Sequence, residues 1–180
     1  LAKKRGEDTV TVVSKSNAVS ALYGFFEENA KRVMAEEYPG LKYAMVNVDA
    51  LCYHLVRNPA AYGVLLCPNL FGDIISDLQA GLAGGLGTAA GGNIGDGLSM
   101  FEPVHGSAPD IAGTGRANPV AAILSGALML EHLGESEASK AVNSAVSKFL
   151  EDSEEKDLPF EFGGKASFEE VGENIRKYIS

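Results

Sequence analysis

The sequence has few of the residues that bind zinc, and it lacks a long apolar run. Its 180 residues include two cysteines, Cys52 and Cys67, and three histidines, none in a CxxC or other zinc-ligand spacing. We interpret both cysteines as reduced thiols of a cytoplasmic protein. No apolar stretch reaches the roughly 18 residues of a membrane helix, so we expect no membrane partner.

Positive charge is also scarce. Lys and Arg total 15 against 24 Asp and Glu, giving a net charge of -9. We therefore expect no nucleic-acid partner, because affinity for the phosphate backbone comes mainly from Lys and Arg. The surplus carboxylates could instead bind a cation. The chain begins LAKKRGED, without a methionine, which suggests a longer natural protein.

Apolar β-branched runs alternate with helical spacing along the first half. Strands are predicted at residues 9–13, 41–48, 63–67 and 98–101. Helices are predicted at residues 17–38, 49–57, 71–82, 119–133, 137–150 and 168–179. Asp49 is the expected N-cap of its helix. The alternation favours an α/β fold in which helices cover a sheet.

The apolar stretch LFGDIISD carries two aspartates, Asp73 and Asp77. Residues four apart share one face of a helix, and two carboxylates there repel each other. If that face is partly buried, a divalent cation such as Mg²⁺ or Mn²⁺ is the simplest partner. The alternative is that Asp73 caps the helix near its N-terminus and Asp77 faces solvent.

A glycine-rich segment, residues 81–97, follows this helix. The dinucleotide fingerprint needs its glycines directly after a strand and at the start of a helix. The order is reversed here, so we interpret the segment as a flexible connector that packs closely.

The next segment, EPVHGSAPDIAGTGRANP, combines His, Ser, Asp and Asn with prolines and glycines. Prolines order the backbone and glycines let a ligand approach it, which is typical of a ligand-binding loop. The alternative is a surface loop without a functional role.

These two motifs resemble the β-decarboxylating dehydrogenases, which include 3-isopropylmalate, isocitrate, homoisocitrate and D-malate or tartrate dehydrogenases. The resemblance runs from residue 10 to 179 but covers only the C-terminal half of a family member. It implies the isocitrate/isopropylmalate dehydrogenase-like two-domain α/β fold, of which this chain is the C-terminal portion. Residues 1–93 would belong to the smaller, dimer-forming domain and residues 94–180 to the larger, cofactor-binding domain.

The resemblance also implies a site shared between subunits. Asp73 and Asp77 would bind Mg²⁺ or Mn²⁺, and Asp49 would be a third metal ligand, reaching into the neighbouring subunit's site. Lys15 would be the catalytic lysine, also lent across the dimer, and a lysine near a metal is suited to be a general base.

The same resemblance implies an adenosine-binding loop. Its residues would be His105, Gly106, Ser107, Ala108, Pro109 and Asp110, with Asn118 against adenine. NAD is favoured over NADP, because the Asp110 carboxylate would accept hydrogen bonds from ribose hydroxyls and repel a 2′-phosphate.

The implied reaction is NAD- and metal-dependent oxidative decarboxylation of a malate-type 2-hydroxy acid by a homodimer, or by a tetramer built from two such dimers. The segment Lys-Ser-Asn-Ala-Val departs from the Asn-Ile-Met of isocitrate and homoisocitrate types, which weakens those two substrates. Lys-Ser-Asn resembles the D-malate and tartrate branch and also some isopropylmalate-type sequences. The favoured substrate is 3-isopropylmalate, of leucine biosynthesis. D-malate, tartrate, isocitrate and homoisocitrate stay open. In the tail, Glu161 in PFEFGG departs from the family's Thr-x-Asp-Leu-Gly-Gly, and we expect a tolerated structural change.

Two alternatives are non-catalytic. Regulatory relatives tend to lose the lysine or the aspartates, all of which are present here. The second is a metal-binding, dimerising fragment without turnover, because in this family the substrate-clamping arginines and the catalytic tyrosine lie in the N-terminal half, which is missing here. A metal-dependent hydrolase on the same carboxylates would give the HGSAPD loop no role.

Overall fold

Residues 1–179 are described by a computed structural model, and they form two units, Leu1–Gln79 and the chain from Ala80 onward. The strands are β1 Thr9–Ser14, β2 Lys42–Asn47, β3 Val64–Leu66, β4 Ala90–Ile94 and β5 Ser99–Pro103. The helices are α1 Ala2–Arg5, α2 Phe25–Glu37, α3 Val48–Arg57, α4 Asn69–Ala83, α5 Val120–His132, α6 Ser136–Asp152 and α7 Phe168–Arg176.

The first unit contains a parallel three-stranded sheet in the order β2-β1-β3. The middle strand, β1, is buried along most of its length, and Val12 and Val13 have no exposed surface. A strand covered on both faces reads as a continuous apolar run, which is why TVTVV predicted it correctly. The α/β fold class is confirmed.

Helices α3 and α4 pack on this sheet through apolar residues one turn apart. Leu51 and Leu55 of α3 and Ile75 of α4 join Val13 in one buried cluster. Cys52 and Cys67 are free thiols packed against it, and burial raises the pKa of the Cys67 thiol.

The second unit is a β4–β5 antiparallel hairpin with three helices, α5, α6 and α7. Its core is centred on Phe149 of α6, with Val120 of α5 and Val171 of α7. A capping box begins α7: the Ser167 hydroxyl accepts from the Glu170 N–H, and the Glu170 carboxylate accepts from the Ser167 N–H. At the end of α5, Gly134 adopts a left-handed φ of 88°, as its position in the sequence predicted.

Three sequence predictions differ from the structure. Asn47, not Asp49, is the N-cap of α3, because the helix begins directly after β2 and places Asp49 in its first turn. Helix α4 begins at Asn69, so Asp73 lies beyond the first turn and does not cap it. The glycine-rich segment is not only a connector, since it contains β4, in which Gly92 pairs with Phe101.

The unit boundary falls inside α4, between Gln79 and Ala80. The predicted domain division between residues 93 and 94 concerns the complete two-domain protein and stays a prediction. Within residues 1–179, no helix is long and apolar enough to span a bilayer.

Candidate functional site

The carboxyl ends of the parallel strands bring the first candidate residues to one edge of the sheet. Lys15 follows the last residue of β1, and Asp49 is the second residue of α3, which follows β2 directly. Helix α4, with its two aspartates, starts shortly after β3. In parallel α/β sheets this edge is where ligands bind.

Lys15 and Asp49 form an ion pair at this edge. The Lys15 ammonium Nζ lies 2.5 Å from the Asp49 Oδ1, and the two side chains are 25% and 67% exposed. The hydrogen bond from Lys15 lowers the pKa of the Asp49 carboxyl. Asp49 is therefore ionised at neutral pH, as a metal ligand must be.

A second acid contacts the end of β1 and was missed from the sequence. The hydroxyl of the buried Ser14 donates a hydrogen bond to the Glu27 carboxylate of α2. Burial, with a smaller contribution from the Glu27 charge, raises the pKa of Tyr43. Helical periodicity placed Glu27 on α2 but gave no sign that it faces the end of β1.

Asp73 and Asp77 are both exposed on α4. Phe71 and Ile75, on the other side of the helix, are buried. The Asn69 amide Nδ2 donates to the Asp73 Oδ2 at 3.1 Å. The two carboxylates therefore share an open face, and no burial penalty forces a cation between them.

The donor chemistry suits a hard cation, since carboxylate oxygens are the ligands that Mg²⁺ and Mn²⁺ prefer. Across residues 1–179, however, no three His, Cys, Asp or Glu side chains lie close enough to hold a metal ion. Asp49 is thus not gathered with Asp73 and Asp77 into one three-ligand site within the chain. The metal-ligand assignments stay predictions.

The predicted adenosine loop borders two cavities of the second unit, about 600 and 480 Å³ in volume. His105, Gly106 and Ala108 line both. Ser107 lines the larger, and Asn118 lines the smaller. Pro109 and Asp110 lie in a 3-10 turn, Pro109–Ile111, and line neither.

Ala108 has an unusual backbone conformation where the two cavities meet. Its φ of 44° is left-handed, and no other non-glycine residue among residues 1–179 has a positive φ. Such a conformation costs free energy in an L-residue and is concentrated at functional sites. The Ile111 N–H donates to the Ala108 carbonyl at 3.1 Å, which closes the turn that carries Asp110.

Sequence reasoning missed several residues of the smaller cavity because three separate segments supply them. They are Leu86, Gly87, Arg116, Phe160 and Glu161. The Arg116 guanidinium carbon lies 4.7 Å from the Phe160 ring centroid, a cation–π contact. The unusual PFEFGG tail was the available signal, but it gave no indication of where the tail would lie.

The fold and these residues define an α/β protein with charged side chains at the carboxyl edge of its parallel sheet. The chain belongs to the isocitrate/isopropylmalate dehydrogenase family, whose sequence profile matches residues 1–175. This confirms the resemblance to the β-decarboxylating dehydrogenases.

Similar proteins cover most of the chain. It is 49% identical to an isocitrate/homoisocitrate dehydrogenase of Thermus thermophilus over 84% of this chain and 45% of that protein. It is 45% identical to a 3-isopropylmalate dehydrogenase of Archaeoglobus fulgidus over 84% of this chain and 46% of that protein. An isocitrate dehydrogenase crystal structure from Methylococcus capsulatus matches with a TM-score of 0.93 and 40% identity, covering 99% of this chain and 52% of that one. The chain therefore spans about half the length of its relatives.

Proposed function

We propose that this chain is the C-terminal portion of a dehydrogenase that performs NAD- and metal-dependent oxidative decarboxylation of a malate-type 2-hydroxy acid. One observation carries the proposal: in a member of this family, the Lys15–Asp49 pair lies at the carboxyl edge of the parallel sheet. A regulatory role would leave that pair and the two aspartates of α4 without a function.

Lys15 is the proton acceptor for the substrate hydroxyl in this proposal. Lys15 acts as the neutral amine in this step, and Asp49 orients that amine by accepting its hydrogen bond. Asp73 and Asp77 hold Mg²⁺ or Mn²⁺ by their shared exposed face. When bound, the cation supplies Lewis-acid stabilisation of negative charge that develops on the substrate oxygen.

The separation of Asp49 from the α4 aspartates supports a homodimer. No three-ligand site lies within residues 1–179 of one chain. In this proposal a second chain brings its Asp49 to the aspartates of α4. Lys15 would be lent together with Asp49, because the two are paired. We propose dimers, alone or as tetramers, acting in the cytoplasm.

The proposed cofactor is NAD, bound along residues 105–118. The smaller cavity offers the Asn118 amide and the apolar Ile111 for adenosine. The proposed substrate is 3-isopropylmalate, with one relative of that name 45% identical. Isocitrate or homoisocitrate is the second candidate, favoured by the relative from Thermus thermophilus.

The test is Mn²⁺-dependent NADH production from 3-isopropylmalate, homoisocitrate, isocitrate and D-malate, beside the intact mass and calorimetric NAD binding. Turnover of one acid, abolished by Lys15→Met, is the expected result. The matched control is Lys42→Met, which removes a second aspartate-paired lysine far more exposed than Lys15. NAD binding without turnover by an 18.9 kDa chain would point to the non-catalytic fragment. Absence of NAD binding would overturn the proposal.

A further inference from the structure

Glu161 links three segments that are distant in sequence. Its Oε1 accepts a hydrogen bond from the Gly87 N–H at 3.1 Å, in the glycine-rich segment. Its Oε2 accepts from the Asn118 Nδ2 at 2.8 Å, just before α5. Although Glu161 is exposed, both oxygens of its carboxylate are engaged, each by a residue that lines the smaller cavity.

The second partner, Asn118, is held at both ends of its amide. Its Oδ1 accepts the Val120 N–H at 3.1 Å, while its Nδ2 donates to Glu161. An asparagine amide has two N–H donors and an oxygen with two lone pairs, so one donor and one lone pair are left for a ligand. The orientation in which they are presented depends on Glu161.

The glycines explain how a carboxylate can approach this backbone. A Cβ added at Gly85 or Gly87 would overlap the Glu161 carboxylate, and at Gly87 it would also lie 2.7 Å from the Asn118 Cβ. Gly85 also has a φ of 126°, which L-residues rarely adopt. These glycines are therefore required by the close packing of Glu161 and Asn118 against the turn.

The length of the side chain is part of the arrangement. An aspartate has one methylene less and would not reach both the Gly87 N–H and the Asn118 amide from the same backbone position. The preceding residue, Phe160, contacts the Arg116 guanidinium. Residues Phe160–Phe162 form a hydrogen-bonded 3-10 turn, which limits how far the backbone can move to compensate for a shorter side chain.

We propose that Glu161 is a positioning residue for nucleotide binding: it fixes the Asn118 amide and the 85–87 turn as one wall of the smaller cavity. This inference rests on the proposed function, which gives that cavity to adenosine. It replaces the expectation that glutamate at 161 is only a tolerated change.

The experiment uses AMP as the probe, because it carries the adenosine group and needs neither metal nor substrate. Calorimetry would compare the wild type with Glu161→Gln, Glu161→Asp, Asn118→Ala and the double variant Glu161→Gln/Asn118→Ala. The control is Glu151→Gln, the same change at an exposed position of α6. Thermal unfolding by circular dichroism would accompany each measurement.

We expect Glu161→Gln and Glu161→Asp to weaken AMP binding about tenfold, equivalent to about 1.4 kcal/mol. The loss in the double variant should be smaller than the sum of the two single losses, because Glu161 acts partly through Asn118. In an active dehydrogenase the KM for NAD should rise while kcat changes little. Glu151→Gln should match the wild type.

The outcomes separate the two proposals. If Glu161→Gln and Glu161→Asp bind AMP as tightly as the wild type, the positioning role is overturned and the proposed function stands. If one of the two Glu161 variants has a lower Tm than the wild type, the comparison uses the other variant. Losses of AMP affinity that are additive between Glu161→Gln and Asn118→Ala would overturn the inference. If the wild type binds neither AMP nor NAD, the proposed function fails, and the inference with it.

Discussion

Lys15 and Asp49 are 34 residues apart in sequence, yet the Lys15 Nζ lies 2.5 Å from the Asp49 Oδ1. The sheet register explains this proximity. Ser14 and Asn47 are partners at the carboxyl ends of β1 and β2, so the residues that follow them emerge side by side. Parallel pairing thus brings a base and an acid together without any local sequence motif.

Replacing Lys15 by methionine should raise the pKa of the Asp49 carboxyl towards its ordinary value, because the lysine hydrogen bond is the main cause of its lowering. Because the pKa of Asp49 is lower in the folded state than in the unfolded state, the pair stabilises the folded protein at pH values above the ordinary aspartate pKa. This stabilisation is lost as pH falls through the lowered value. Carboxyl-detected NMR titration would measure the pKa, and urea unfolding at several pH values would measure the loss of stability.

Asp8 provides the matched control for this titration. Its Oδ2 lies 2.5 Å from the Lys42 Nζ, and its pKa is also lowered by that lysine. In Lys15→Met the pKa of Asp8 should stay low while that of Asp49 rises. An unchanged Asp49 pKa would contradict the assignment.

Asp73→Asn and Asp77→Asn should each weaken Mn²⁺ binding by at least about tenfold, because an amide oxygen lacks the charge that hard cations prefer. Electron paramagnetic resonance of free Mn²⁺ would measure the dissociation constant. The control is Asp96→Asn, an exposed carboxylate in the hairpin between β4 and β5. Equal losses in all three variants would indicate binding by general negative charge instead of a site.

Phe149→Ala should lower the free energy of unfolding by about 3–5 kcal/mol, because it removes a large, fully buried ring from a close-packed core. Urea unfolding followed by circular dichroism would measure it. Leu133→Ala, at a residue 66% exposed, should cost less than about 1 kcal/mol. A small effect of Phe149→Ala would contradict the central place of α6 in the core of the second unit.

The spacing of apolar residues predicted the helices and strands in which buried and exposed positions follow a regular pattern. β1 is an apolar β-branched run buried on both faces, and α4 alternates buried Phe71 and Ile75 with exposed aspartates. β4 was missed because glycine and alanine carry no strand signal; its pairing with β5 defines it. Local propensity cannot show such a strand.

The candidate site was predictable to the same limited extent. The motifs identified the loop and Asp73, but the Glu161 bridge to Gly87 and Asn118 depends on three segments meeting in space. Side-chain contacts between segments so far apart produce no periodic pattern in the sequence. The exposure of Asp77 agrees with the alternative in which this residue faces solvent, whereas the start of α4 at Asn69 excludes Asp73 as its cap.

Asp110→Lys should lower the preference for NAD over NADP by about tenfold or more, because it replaces repulsion of the NADP 2′-phosphate by attraction. Two unit charges at contact distance near a protein surface interact by about 4 kcal/mol. The structure places Asp110 in the exposed turn that follows the left-handed Ala108, outside the lining of the two cavities. The prediction rests on the proposed role of the Asp110 carboxylate as an acceptor of hydrogen bonds from the ribose hydroxyls. The measurement is the ratio of kcat/KM for the two cofactors. Glu151→Lys, the same charge reversal on α6, should leave the ratio unchanged, and a similar change in both variants would sink the cofactor assignment.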